Sequence, residues 1–180
     1  MLQGINIDLK VVEKEETGQL LELANSPEFW GMYESPVQRS RAEAEKGFEE
    51  WKGSKRFFIL KKDGSRIGFM NLWEVVPGLP AQFGLEIGYA VAPEERSKGY
   101  TTEAVRLLLD YSFLTTLAAR VQAHTDIRNV ASQRILEKNG FAKEGTSRQS
   151  YFANGELHDM FIFSILRKEW KEPKILKAKG

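Results

Sequence analysis

The sequence predicts a single α/β domain, a mixed and twisted sheet of six to seven strands flanked by helices on both sides. Three observations carry this. The chain has 180 residues, 42% apolar and 28% charged, enough for one well-filled core. Its apolar residues recur at strand spacing in some segments and at helical spacing in others. A strand–loop–helix–strand step in the middle requires at least one parallel pair, while an antiparallel run before it and a hairpin at the end make the sheet mixed.

The elements follow in order. Residues 5–12 alternate, with Ile5, Ile7 and Leu9 on one side, and read as the first strand. Glu16 to Asn25 reads as a short helix with Leu20, Leu21 and Leu23 inward, ended by Ser26-Pro27. Ser40 with Glu43 forms a capping box that opens a second helix, whose apolar edge is Phe48 and Trp51. Phe57 to Leu60 and Ile67 to Trp73 flank Asp63-Gly64 as a hairpin, and Pro77 to Pro80 is a loop. Phe83 to Val91 is a strand. Tyr100 to Leu117 is a helix, with Ala104, Val105, Leu108 and Tyr111 at helical spacing. Arg120 to Thr125 is a strand, and Asn129 to Asn139 a helix closed by Gly140. Phe141 to Phe152 and Leu157 to Leu166 pair around Asn154-Gly155.

Composition removes several function classes. Lys plus Arg total 26 and Asp plus Glu 25, a net charge of +1, without the basic field that a non-specific nucleic-acid binder needs. The absence of cysteine excludes disulfides, thiolate metal ligands, iron–sulfur clusters and a cysteine nucleophile. With His124 and His158 as the sole histidines, no metal site is expected. No apolar stretch approaches the roughly 20 residues of a membrane span. Residues 1–10 lack a signal-peptide core, so a cytoplasmic location and no membrane partner are the expectations.

The segment from Ile87 to Thr102 carries the chemistry. A strand ends, a polar loop offers Arg96, Lys98 and Gly99, and a helix begins. Unpaired N–H groups and the helix dipole make such a helix start an anion site, most simply for phosphate. Gly99 lets backbone approach the anion, and Arg96 and Lys98 add charge. The P-loop pattern fails because Tyr100 follows Gly99, and three spaced glycines are absent. An ordinary strand–helix loop is the competing reading.

Ile87-Gly88-Tyr89-Ala90-Val91-Ala92-Pro93 followed by Arg96-Ser97-Lys98-Gly99-Tyr100 resembles the acetyl-coenzyme A signature of the GNAT N-acetyltransferases. Thr101 departs from the Gly or Ala of that signature, and its side chain either crowds the pyrophosphate or hydrogen-bonds it. Asn129 to Phe141 resembles the second conserved block of the family. Gly155 to Met160 resembles the branch of the ribosomal-protein alanine acetyltransferases and some polyamine acetyltransferases. The resemblance spans residues 5–168. It implies an acetyltransferase domain over 1–168, with 169–180 as a basic tail carrying Lys171, Lys174, Lys177 and Lys179. It implies that the strand ending near Val91 splays from its parallel neighbour. The pantetheine would pair with backbone at Tyr89, Ala90 and Val91. The pyrophosphate would sit on the N–H groups of Ser97, Lys98, Gly99, Tyr100, Thr101 and Thr102, with Asn129 holding the pantetheine.

The implied reaction is attack of a primary amine on the thioester of acetyl-CoA in a ternary complex. An α-amino group has a pKa near 8 and a lysine-like amine about 10.4, so the second needs more help. Glu86 is the candidate base, its pKa raised by burial, with a solvent-facing strand pair as the alternative. Ser132 is the candidate acid at the sulfur. It shares a helix face with Asn129 and Gln133, and a back-bonded helix serine is the alternative. A backbone N–H near Val91 or Ala92 is expected to support the oxyanion. Tyr151, His158 and Asp159 are weighed for the acceptor pocket, the latter two on opposite strand faces. His124 is expected to be a satisfied or surface residue. Of Trp30, Tyr33, Trp51 and Trp73, at least two are expected in the core.

The amine is expected opposite the coenzyme, between residues 16–53 and 150–158. There Glu28, Glu34, Glu43, Glu45 and Glu156 provide an acidic field. A peptide N-terminus ranks first as acceptor and a polyamine or other small amine second, with a homodimer admitted as the assembly. The rivals are a CoA-binding regulatory domain without catalysis, and an interaction domain without nucleotide.

Overall fold

The computed structural model describes residues 1–50, 54–75, 84–171 and 173. The strands are β1 (Leu2–Gln3), β2 (Ile7–Val11), β3 (Lys55–Lys61), β4 (Arg66–Glu74), β5 (Leu85–Val91), β6 (Arg120–Asp126), β7 (Ala142–Ala153) and β8 (Glu156–Leu166). The helices are α1 (Thr17–Ala24), α2 (Pro27–Trp30), α3 (Arg41–Glu50), α4 (Tyr100–Thr115) and α5 (Val130–Lys138). They form one sheet in the order β1-β2-β3-β4-β5-β6-β8-β7. Every neighbouring pair is antiparallel except β5 with β6.

Both faces of the sheet are covered. Phe57, Ile59, Met70 and Leu72 join Ala104, Val105 and Leu108 of α4 and Leu136 of α5 in the larger core. Phe58 and Phe69 point the other way, to Leu20 of α1 and Phe29 of α2. Burial on both faces explains why β3 reads as a run of apolar residues instead of alternating. Each such side chain contributes about 1.5–3 kcal/mol on burial.

The described sheet has eight strands, beyond the expected six or seven. The extra one arises where the first strand was expected to start. Ile5 is 75% exposed, while Ile7 and Leu9 are buried. The chain turns at Gly4 to Asn6 because Glu103 of α4 captures it there. Its carboxylate accepts from the N–H groups of Ile5 (2.5 Å) and Asn6 (2.9 Å) and from Asn6 Nδ2 (2.9 Å). The turn returns Leu2 to pair opposite Leu9.

The turn signals hold. Ser40 and Glu43 exchange hydrogen bonds as a capping box. Gly64, Gly140, Asn154 and Gly155 all have positive φ. The docked chain continues past residue 168. Trp170 donates to Asp110 Oδ1 (3.0 Å) and packs on Phe113. Trp51, Pro77 to Pro80, Phe83, Lys174, Lys177 and Lys179 lie outside the described residues.

Candidate active site

The parallel pair opens after two steps. β5 and β6 pair at Leu85↔Val121 and Glu86↔Gln122. Beyond that β5 stays paired with β4 as far as Val91↔Gly68, and β6 stays paired with β8 as far as Asp126↔Met160. Each strand is held by its outer neighbour, so a gap forms between them. The gap encloses about 150 Å³ and is lined by Ile87, Gly88, Tyr89, Ala123, Thr125, Asn129 and Ser132, among others. The β6-facing backbone edge of β5 is open along it, as an extended amide-bearing ligand requires.

The strand leads to the start of α4. Gly99 is the N-cap, at φ 84°, and no side chain caps the helix. The first intrahelical bond runs from Glu103 N–H to the Gly99 carbonyl (3.1 Å), so the N–H groups of Tyr100, Thr101 and Thr102 precede it. A Cβ built on Gly99 meets nothing within 4 Å, which leaves room for an anion against the backbone. Ser97, at φ 61°, sets the approach to this turn. These residues fit a coenzyme pyrophosphate.

Two charges expected here are engaged elsewhere. Arg96 turns inward, donating from Nε to the Val91 carbonyl (3.0 Å) and from a terminal nitrogen to the Phe29 carbonyl (2.7 Å). It ties α2 to the end of β5. Lys98 pairs with Glu95 at 2.9 Å. An anion at this turn would therefore meet backbone amides more than free cations. The N–H of Ala92 is bonded to the Ile67 carbonyl (2.9 Å), which removes it as an oxyanion donor. Val91 is buried in the larger core, and Ala90 packs toward α1 and α2.

On the α5 side, Asn129 caps the helix by accepting from the Ser132 N–H (3.0 Å). The Ser132 hydroxyl lies 2.9 Å from the Tyr89 hydroxyl. Burial pushes the Tyr89 phenol up to about 12, opposed in part by that bond. The helix itself carries no tyrosine, and the phenol bonded to Ser132 comes from β5. Gln133 faces elsewhere, bonding the Ile127 carbonyl (2.9 Å).

A larger cleft of about 490 Å³ adjoins the gap on the opposite sheet face. Glu34, Ile87, Gly88, Tyr89, His124 and Met160 line both spaces, so the two communicate. Glu86 lines the cleft and accepts from Gln122 Nε2 (2.9 Å), and its other oxygen is 3.0 Å from His124 Nδ1. The Glu86 hydrogen bond holds the His124 pKa above the usual imidazole value. His124 is satisfied, as expected, but it belongs to the site. The signal was in the register: Glu86 pairs with Gln122, and His124 stands two residues on, on the same face.

Trp30, Trp73 and Tyr151 also line the cleft, and Tyr33 lines the gap, so three of the four aromatics weighed for the core are cavity walls. Gly88 permits this. A Cβ there would meet the Trp73 ring at 3.1 Å. Of the acidic residues expected near the acceptor, Glu34 lines the cleft. Glu28 bonds Ser26, Glu43 caps its helix and Glu45 pairs with Arg41. His158 bonds the Ala153 carbonyl and Asp159 the Gln149 N–H, so they form no dyad. Among the described residues no cluster of potential ligands holds a metal, and no helix is long and apolar enough to cross a membrane.

Comparisons with known proteins agree with this geometry. The chain is 38% identical over 108 residues to the "Probable N-acetyltransferase YjcK" of Bacillus subtilis (strain 168), a match covering 59% of this chain and 58% of that relative. The matched stretch is thus under two thirds of the relative's length. The fold superposes on a Vibrio cholerae spermidine N-acetyltransferase solved with CoA and spermine. That match has a TM-score of 0.79 at 23% identity, covering 93% of this chain and 99% of that one. It superposes equally on RimL, a ribosomal L7/L12 alpha-N-protein acetyltransferase solved with coenzyme A. There the TM-score is 0.79 at 16% identity, covering 92% and 96%. Enzymes of this kind use acetyl-CoA as the acetyl donor. Residues 7–142, well over half of the sequence, match the family described as "Acetyltransferase (GNAT) domain", and the chain belongs to that family.

Proposed function

We propose that this chain transfers the acetyl group of acetyl-CoA to a primary amine, with both substrates bound at once. The observation that supports it is the meeting of the β5–β6 gap with the acidic, aromatic cleft at Ile87, Gly88 and Tyr89. When bound, acetyl-CoA supplies an activated acyl thioester. The first-turn amides of α4 and the Gly99 turn hold its pyrophosphate, and the open edge of β5 with Asn129 orients its pantetheine arm.

The Glu86–His124 pair receives the proton that the ammonium loses. Glu86 fixes the imidazole through Nδ1, which leaves Nε2 to accept. Tyr89 and Ser132 stand at the thiolate side, where a hydroxyl gives its proton to sulfur as the carbon–sulfur bond breaks, and the second proton that the nitrogen loses on becoming an amide replaces it. The absence of cysteine excludes an acetyl-cysteine relay. The names of two fold neighbours, one acting on a polyamine and one on a protein N-terminus, support amines as the acceptor class.

The test is thiol release from acetyl-CoA across peptides, polyamines and aminoglycosides. Amine-dependent release is expected. CoA binding without release by any amine would favour a regulatory domain instead.

A further inference from the structure

One charged group of the cleft has no part in that transfer. Glu34 comes from the loop after α2, and Tyr151 of β7 donates its hydroxyl to the Glu34 carboxylate. Burial raises the Glu34 pKa, with the Tyr151 bond opposing. Among the described residues no Lys, Arg or His pairs with Glu34, and none of the residues lining the cleft is a lysine or arginine. Glu86, by contrast, already has His124 and Gln122.

The other features of the cleft also suit a cation. The rings of Trp30, Trp73 and Tyr151 are among its walls, and ring faces attract ammonium groups. Asn71 lines the cleft two residues before Trp73, on the same face of β4. Its Oδ1 is buried without a hydrogen-bond partner, an acceptor open to an N–H donor.

The reacting amine does not satisfy both carboxylates. It enters as an ammonium, and its proton passes to the Glu86–His124 pair before the nitrogen attacks. The attacking nitrogen is neutral, is charged again only in the tetrahedral adduct where it is bonded to the acyl carbon, and ends as a neutral amide. Glu34 would be left a half-buried carboxylate facing a single phenol, a costly state. A second, permanent positive charge on the acceptor removes that cost. Glu34 lines both the cleft and the gap, so this charge sits a short span from the reacting end.

We infer that Glu34, held in place by Tyr151, anchors a second cationic nitrogen of the acceptor, and that the acceptor is a short aliphatic diamine or polyamine. This rests on the acetyl-transfer reading above.

The experiment compares putrescine, butylamine and an Ala-starting peptide as acceptors for the wild type, Glu34→Gln and Glu34→Asp. In the wild type kcat/KM for putrescine should exceed that for butylamine by about tenfold or more. The ratio should fall toward one in Glu34→Gln and be partly kept in Glu34→Asp. A wild-type ratio near one, a ratio unmoved by Glu34→Gln, or a preference for the peptide overturns the inference. If Glu34→Gln fails to fold, Tyr151→Phe is read in its place, with a lowered ratio expected and an unchanged one overturning. If no amine releases thiol, the transfer reading fails, and calorimetry of putrescine with the CoA-saturated protein decides the anchor separately. Binding lost in Glu34→Gln supports it, and equal binding in both proteins overturns it.

Discussion

Two glycines make a matched experiment on the coenzyme site. Gly99 has φ 84° and Gly64, in the β3–β4 turn, has φ 85°. A Cβ on either meets nothing within 4 Å. Gly99→Val and Gly64→Val therefore share one cost, a branched side chain forced into the left-handed region. That cost is on the order of 2 kcal/mol. For a domain of this size it lowers Tm by roughly 4–8 °C. What differs is the ligand. If the coenzyme pyrophosphate lies on the amides at Gly99, the valine side chain occupies its place, and affinity should fall at least tenfold, about 1.4 kcal/mol. At a CoA concentration about 100 times the wild-type Kd, binding adds roughly 2.7 kcal/mol to stability, and a tenfold weaker Kd leaves roughly 1.4. The CoA-induced rise in Tm should thus shrink by about half in Gly99→Val and stay whole in Gly64→Val. Thermal shift with and without CoA reads both numbers, and calorimetry gives Kd directly. An equal CoA response in the two variants would refute the site at the α4 N-terminus.

Glu86→Gln should lower kcat by roughly 10²-fold and flatten the acidic limb of the pH profile; wild-type rates at every pH would leave Glu86 a structural partner of His124. Ser132→Ala should reduce turnover while keeping the helix cap, which is made by the Ser132 N–H, at a stability cost of about 1–3 kcal/mol for the lost bond to the Tyr89 hydroxyl; unchanged kcat would remove it from the sulfur side. His124 has its folded pKa raised above 6.5 by Glu86. Its contribution to stability is therefore complete below that value and fades as pH rises through the raised one. The Tm difference between wild type and His124→Gln should be largest in mild acid and shrink toward alkaline pH, and a difference that grows with pH would contradict the ion pair.

Much of the architecture was legible because it is locally encoded. The capping box at Ser40 and Glu43, the Asn154-Gly155 turn and the helix stop at Gly140 are short-range devices. Their geometry depends on a few neighbouring residues, so their positions needed no tertiary information. The turn at Gly99, proposed as the coenzyme's anion site, was legible for the same reason, since a strand end, a glycine and a helix start are contiguous. The eighth strand was not legible. It depends on Glu103 reaching back 98 and 97 positions along the sequence to the amides of Ile5 and Asn6. The direction of Arg96 was equally hidden, because its partner is the Phe29 carbonyl from α2; Lys98, by contrast, pairs with Glu95 only three residues away.

The sequence by itself determined most of the order of elements, the presence of a parallel step and the family, since periodicity, turns and contiguous motifs are all properties of neighbouring residues. The tertiary structure decided which side chains share the site. Trp73, Glu86 and His124 stand together because β4, β5 and β6 are adjacent in the sheet at one register, and a one-residue slip would turn each strand's side chains to the other face. Glu34 and Tyr151 meet only after the α2 loop docks on the last hairpin, where Asn154 also bonds Ser35 and Met32. Contacts between residues more than a hundred positions apart leave no periodic trace in a single chain. The strand end and helix start proposed to bind the coenzyme were therefore readable in the sequence as local structure, while the grouping of Glu34, Glu86 and His124 around one cleft emerged from packing.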